Sequence, residues 1–237
     1  MREIIKKILK SCALGRLVYE PLHKCYRLYS VPHRRKMLQK RGYQVLQKLK
    51  NTFEQNNIPG FLAAGSLLGF VRDGGFMPHD DDIDVGVLPS NWSAAELLRT
   101  MVEKEGYKFE FAFMFRGRTI EFKVSWMGVP IDVFCYERIE NDLYCTCFYY
   151  FPDRKYPKAN ANTPWRIHEY NITNLKTMSL NGVDFPVPSE PEKVLARLYG
   201  ESWRVPNPKW DDSMHPGREE MIDEFGYSVP YEEAIEA

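Results

Sequence analysis

A chain of 237 residues with 44% hydrophobic and 27% charged side chains has room for a full core, and its composition sets aside a disordered or membrane-spanning protein. Its 32 basic and 32 acidic residues cancel, but residues 1–50 hold 14 Lys and Arg against only Glu3 and Glu20, so a local charge of +12 faces −12 over the rest. Five cysteines, Cys12, Cys25, Cys135, Cys145 and Cys147, are few and odd in number, which argues against a disulfide framework, and Cys145-Thr146-Cys147 is too tightly spaced for a structural zinc knuckle.

The basic, amphipathic start reads as a helical extension over residues 1–32, ahead of one main domain over 33–237. Such a segment can lie on an anionic membrane surface, bind nucleic acid, or simply be a solvated helix. No window is long and apolar enough for a spanning helix, and the apolar stretch near Cys12 is too short for a signal peptide. The cytoplasm is the expected compartment, with peripheral contact at the cytoplasmic membrane face.

Apolar residues at helical spacing predict a long helix over 33–56, just after Pro32. A short buried strand over 61–64 then meets Gly65-Ser66, which turns it into a two-turn helix over 67–72 with Ser66 as cap, and Gly74-Gly75 ends that helix. A second strand is expected over 82–88, a helix over 93–105, two strands over 107–115 and 119–126 joined at Arg116-Gly117-Arg118, and a further strand over 130–136. Residues 137–173 are rich in aromatic and turn-forming residues and show no clean period. Asn181-Gly182 marks a hairpin over 176–187, residues 191–199 read as a short helix, and the tail reads as loop with one helix near 219–225.

The segment GSLLGFVRDGGFMPHDDDIDVGVL carries most of the chemistry. Asp82, Ile83, Asp84 and Val85 alternate, so a strand of period two puts both carboxylates on one face and both aliphatic side chains on the other. Two such carboxylates, with water and substrate phosphate completing the shell, suit Mg²⁺ or Mn²⁺. Asp132 is isolated in the apolar run IDVFCY; an acid on a buried strand needs a partner or a metal, which makes it the candidate third carboxylate, as a metal ligand or as a base. The Gly65-Ser66 turn can bring backbone amides to a phosphate, and Arg72 lies one to two turns further along the same helix. Taken singly, each feature has an ordinary structural explanation: aspartate runs are commonly calcium loops or solvated turns, and a lone arginine is usually a surface residue.

Together these residues resemble the signature of the LicD/fukutin-related phosphotransferase family, whose pattern runs Gly-Thr/Ser-Leu-Leu-Gly, a nearby Arg, Gly-Phe-Ile-Pro and Trp-Asp-Asp-Asp-Ile-Asp. Ile131-Asp132-Val133-Phe134 and the stretch FPVPSEPEKVLARLYGESW extend the resemblance over roughly residues 45 to 215. It implies an α+β, nucleotidyltransferase-like mixed β-sheet flanked by helices. The implied activity is metal-dependent transfer of a phospho-alcohol group, phosphocholine or ribitol phosphate, from a CDP-activated donor to a hydroxyl of a glycan or lipid-linked glycan, with no nucleic acid as partner.

By the same resemblance Asp82 and Asp84 are the metal pair and Asp132 the third strand acid. Gly65, Ser66 and Arg72 contact the donor phosphates, Lys123 faces them from the preceding strand, and Asp80 supports the metal. His79 stands where the family commonly has tryptophan, and His215 echoes a histidine near the end of the family's domain. Two other readings stay open at this stage: a glycosyltransferase that uses a DxD element to hold a nucleotide sugar, and a nucleotide-binding scaffold without turnover.

Overall fold

The computed structural model describes residues 13–149, 151, 154–172, 174–211 and 214–237, with side-chain surroundings from residue 28 onward. Residues 1–12 of the expected N-terminal extension lie outside them. The chain opens with a helix of 43 residues, α1 (Ala13–Gln55). This helix runs straight through Pro32, where the sequence reading places a start. A proline interrupts a helix chiefly by removing one N–H and crowding the carbonyl four residues back. Here that carbonyl belongs to Leu28, which is 70% exposed, so water can serve it.

After α1 come β1 (Gly60–Leu62), α2 (Ala64–Arg72), β2 (Ile83–Val87) and α3 (Ala94–Arg99). Helix α3 begins with a capping box in which Ser93 and Glu96 satisfy each other's backbone amides, and it passes into a π-helical turn over Thr100–Lys104. A meander follows: β3 (Lys108–Phe115), β4 (Arg118–Trp126) and β5 (Val129–Cys135). The stretch without a readable period folds as β6 (Glu137–Ile139), β7 (Asp142–Tyr149) and β8 (Ala161–His168), and Cys145 and Cys147 lie on β7 as strand-borne thiols. The hairpin β9 (Leu175–Leu180) and β10 (Val183–Pro188) turns at Asn181-Gly182, as expected, and leads to α4 (Pro191–Tyr199).

The tail differs from the sequence reading. Instead of a helix over 219–225 it supplies β11 (Arg218–Glu220), β12 (Gly226–Val229) and a short α5 (Tyr231–Ala234). Both strands pair with β8, and β12 also joins β3, so hydrogen-bonding partners remote in sequence decide the conformation of this segment.

The main sheet has the order β1-β2-β5-β4-β3-β12-β8-β7-β6, with β11 on β8. It is mixed: β2 and β5 run parallel, while β1–β2, β4–β5 and β3–β4 are antiparallel. This is the mixed α+β architecture the sequence implies. Period two sorts the central strands cleanly. Ile83 and Val85 on β2, Ile131 and Val133 on β5, and Phe122 and Val124 on β4 are fully buried at 0% exposure, and the residues between them face the other way. Against that core pack Leu38, Val45, Leu46 and Leu49 of α1, and the hairpin β9–β10 covers β1. Each such aliphatic side chain contributes about 1.5–3 kcal/mol by leaving water. Gly86 is needed for this layer, because a Cβ there would sit 2.4 Å from the Phe61 ring of the paired strand.

Candidate active site

Strand register builds the site. Asp84 of β2 pairs with Asp132 of β5, Asp132 with Lys123 of β4, and Lys123 with Phe111 of β3, which makes one transverse row across four strands. Residues paired across adjacent strands project to the same face, so the row gathers two carboxylates and an ammonium without any loop. Asp82, in the bend just ahead of β2, joins it through its contact with Lys123. Carboxylate oxygens of Asp82, Asp84 and Asp132 lie within 4.8 Å of one another, and all three side chains are partly exposed, so an ion can reach them.

Lys123 is the counter-charge. Its Nζ lies 2.9 Å from Asp82 Oδ2 and 2.7 Å from Asp132 Oδ2, with the Phe111 ring 5.7 Å away. The sequence reading has Lys123 facing phosphates; the structure places it between two carboxylates. Three carboxylates against one ammonium leave a formal charge of −2 when all are ionised, which one divalent cation would balance. The donor set is all hard oxygen, and Asp132 Oδ1 is buried without a hydrogen-bond partner. Both features fit Mg²⁺ or Mn²⁺, held by Asp82, Asp84 and Asp132.

Helix α2 fixes Asp84 from the other side. The Ser66 amide donates to Asp84 Oδ2 at 3.1 Å, and Ser66 Oγ accepts from the Asp84 amide at 2.9 Å. Ser66 is therefore not the helix cap the sequence suggests. The helix begins at Ala64, the capping position is Ala63 without a side-chain bond, and the Ser66 amide is committed to a carboxylate. Gly65 passes so close that a Cβ would lie 3.0 Å from Asp84 Oδ2. Ala64 adopts a left-handed φ of 41°, a strained conformation at the point where the chain turns from β1 into α2.

Arg72 closes α2. Its guanidinium forms a fork with the Asp73 carboxylate at 2.9 and 2.8 Å and also reaches Met77 Sδ. Asp73 is held below the usual carboxylate range by that fork. The loop beyond carries His79, exposed and 3.9 Å from Asp80, and then the aspartate run. His215 donates from Nδ1 to the Leu198 carbonyl at 2.6 Å and packs among the rings of Trp165, Tyr199 and Trp210, which gives it a structural place.

Burial and mutual repulsion set the protonation of the cluster. Burial pushes Asp84 well above the usual range, reinforced by Asp82 and Asp132 and opposed by the Ser66 amide and Lys123. Asp132 rises to about 7, again chiefly through burial, with Asp82 adding and Lys123 opposing. Asp80 also rises to about 7, from burial and then from Asp82. Lys123 is raised: its own burial is outweighed by the two carboxylates. Such a site holds more negative charge than it tolerates, and this favours cation entry.

Sequence reasoning missed two contributors from α1. Arg34 Nη2 lies 2.6 Å from Asp81 Oδ2, and Gln39 Nε2 donates to the Met77 carbonyl at 3.2 Å. Nothing local in the sequence links positions so far apart. A cavity of about 460 Å³ lined by Met114, Arg116, Lys158, Glu224, Phe225 and Tyr227 contains none of the acidic row.

Comparison with known proteins agrees with the geometry. The family described as LicD/FKTN/FKRP, nucleotidyltransferase domain, matches residues 57–190, more than half of the chain and all of the acidic row. An uncharacterized protein of Rickettsia prowazekii is 25% identical over 177 residues, covering 73% of this chain and 57% of its own length. The ribitol-5-phosphate transferase FKTN of Mus musculus is 22% identical over 182 residues, 76% of this chain and 37% of that protein. Its human counterpart is 21% identical over 179 residues, 75% and 36%. The chain thus spans between about a third and three-fifths of the length of these relatives.

Proposed function

The chain belongs to the LicD/FKTN/FKRP nucleotidyltransferase-domain family, and from that membership we propose that it is a metal-dependent phosphotransferase. It would move a phospho-alcohol group, such as phosphocholine or ribitol phosphate, from a CDP-linked donor to a hydroxyl of a glycan or lipid-linked glycan. The observation that carries this reading is the registered row Asp84–Asp132–Lys123 with Asp82 beside it, inside the family-matched segment.

Phosphoryl transfer asks a protein mainly for alignment and charge neutralisation. In the proposed reaction the acceptor oxygen bonds to the distal phosphorus, the bridging P–O bond breaks, and CMP leaves with the electron pair. Asp82, Asp84 and Asp132 would hold Mg²⁺ or Mn²⁺, which when bound supplies charge neutralisation at the diphosphate. Lys123 fixes Asp82 and Asp132, and the Ser66 amide fixes Asp84. Asp132 Oδ1, free of hydrogen bonds, is the oxygen available to the cation or to the departing hydroxyl proton. Gly65 lets the backbone of α2 approach this face, while Arg72 reaches a donor phosphate only by exchanging its fork with Asp73.

The basic first 50 residues support placement at the cytoplasmic face of an anionic membrane, where lipid-linked acceptors are met. Among the described residues no helix is long and apolar enough to cross a membrane. Removing residues 1–30 is expected to abolish co-sedimentation with anionic vesicles.

The decisive test incubates the protein with CDP-choline, CDP-ribitol, CDP-glycerol and UDP-sugars, with and without Mg²⁺ or Mn²⁺. Cation-dependent CMP release is the expected result. UDP release would establish the glycosyltransferase reading instead, and silence across the panel would leave a nucleotide-binding scaffold.

A further inference from the structure

We infer that Arg34, on α1 and outside the family-matched segment, is a positioning residue that aims the aspartate run at the metal site. The activity part of this inference rests on the proposed function; its cation-binding part does not.

Asp80, Asp81 and Asp82 are consecutive, and a cation cluster can use only those that point toward Asp84 and Asp132. All three lie ahead of β2, with Asp82 in a bend, so their contacts decide where each one points. Asp82 Oδ2 meets Lys123 at 2.9 Å on the β4 side, and Asp81 Oδ2 meets Arg34 Nη2 at 2.6 Å on the α1 side. The run is therefore strung between two cations from different elements, each taking one of two adjacent carboxylates. Arg34 and Asp81 are only 29% and 23% exposed, more shielded than the typical surface pair.

The rest of α1 shows that this contact is one end of a seam. Arg34, Gln39 and Tyr43 follow each other along the helix and meet the loop at Asp81, Met77 and Phe76, in reverse chain order. Gly42 backs so closely onto Phe76 that a Cβ would lie 2.4 Å from its ring, and Tyr43 and Phe70 pack on Phe76 at 5.3 and 4.9 Å. The aromatic end anchors the loop by burial. The far end, next to the cation ligands, has Arg34 as its tether. Freed from Arg34, Asp81 becomes a competing ligand, and Asp82 is held by Lys123 alone.

The test is a double-mutant cycle on the full chain with Arg34→Ala, Asp81→Ala and the pair, with Arg34→Lys as the conservative variant. Mn²⁺ binding is read by electron paramagnetic resonance without any donor, CMP release gives kcat and KM, and thermal melting checks folding. Residues that orient metal ligands typically contribute 10- to 100-fold. Arg34→Ala is expected to weaken Mn²⁺ binding about 10-fold and to lower kcat by a similar factor at an unchanged donor KM. The pair should be no worse than Arg34→Ala, and Arg34→Lys should recover most of the loss. Unchanged Mn²⁺ affinity in a folded Arg34→Ala protein overturns the inference. So does additivity in the pair, or a rise in donor KM with a silent Asp81→Ala, which would make Arg34 a direct phosphate contact. If the unaltered protein turns over no CDP donor, the proposed function fails while the Mn²⁺ comparison still decides the role of Arg34.

Discussion

Two shielded carboxylate environments of this protein work in opposite ways. In the row on β2, β5 and β4, Asp132 shares Lys123 with Asp82, Asp84 accepts from the Ser66 amide, and all three carboxylates remain open enough for an ion. Just past β8, Glu169 is 1% exposed and both of its carboxylate oxygens lack a hydrogen-bond partner. Burial lifts Glu169 to about 8, opposed only by the charge of Arg197. A shared, reachable cluster keeps charge available for chemistry. A solitary enclosed acid gives its charge up, and costs stability whenever it cannot.

The sharpest way to break the first half of that contrast is to neutralise Asp82 or Asp84. Asp82→Asn or Asp84→Asn is expected to lower CMP release by at least about 10²–10³-fold, the size of effect seen when one transition-state charge contact is lost, with melting temperature held or raised. Lys123→Met tests the counter-charge. Losing one partner of a buried ion pair typically costs about 3–5 kcal/mol, and the loss should shrink in saturating Mn²⁺, which replaces the missing positive charge. Denaturant melts with and without the ion check both.

The second half is tested by pH. The folded-state pKa of Glu169 lies above its unfolded value, so its contribution favours the fold below about 4.5 and is lost as pH rises through about 8. Glu169→Gln should flatten this decline and be the more stable protein at pH 8 and above, by about 1–3 kcal/mol, the cost of one buried unsatisfied group. A steeper decline in the variant would show that Glu169 is ionised and paired. The smallest effect is expected at Ser66→Ala, which strips the acceptor from the Asp84 amide: about 1 kcal/mol of stability, with Mn²⁺ binding weakened less than in the aspartate variants.

What the sequence disclosed follows from the range of the physics involved. Alternation over Asp82 to Val85 is local and fixes a face, and Asp132 stood out because an acid inside IDVFCY has to be compensated. The carboxylate cluster is legible for these reasons. Lys123 is legible as a strand residue facing the phosphates, but its position between Asp82 and Asp132 depends on the register of β4 against β5, which no single strand encodes. Arg72 reads as a phosphate contact, and its fork with the very next residue, Asp73, is a side-chain choice that spacing does not reveal. The wing β6 to β8 hid its period behind aromatic residues on both faces, such as Tyr144, Phe148 and Trp165, and the tail strands took their conformation from β3 and β8.

The parallel pairing of β2 with β5 also bears on the order in which the protein assembles itself. Strands β3, β4 and β5 are joined by tight turns at Arg116-Gly117 and Met127-Gly128, so their contacts close short loops, whereas β2 must wait across the whole meander for its partner. Pulse-labelled hydrogen exchange during refolding is expected to protect β4 and β5 ahead of β2. In that sequence of events Lys123 meets Asp132 first, and Asp84 docks against a carboxylate already accompanied by its cation. The acid of the meander is thus already paired with its lysine when β2 brings Asp82 and Asp84 to it.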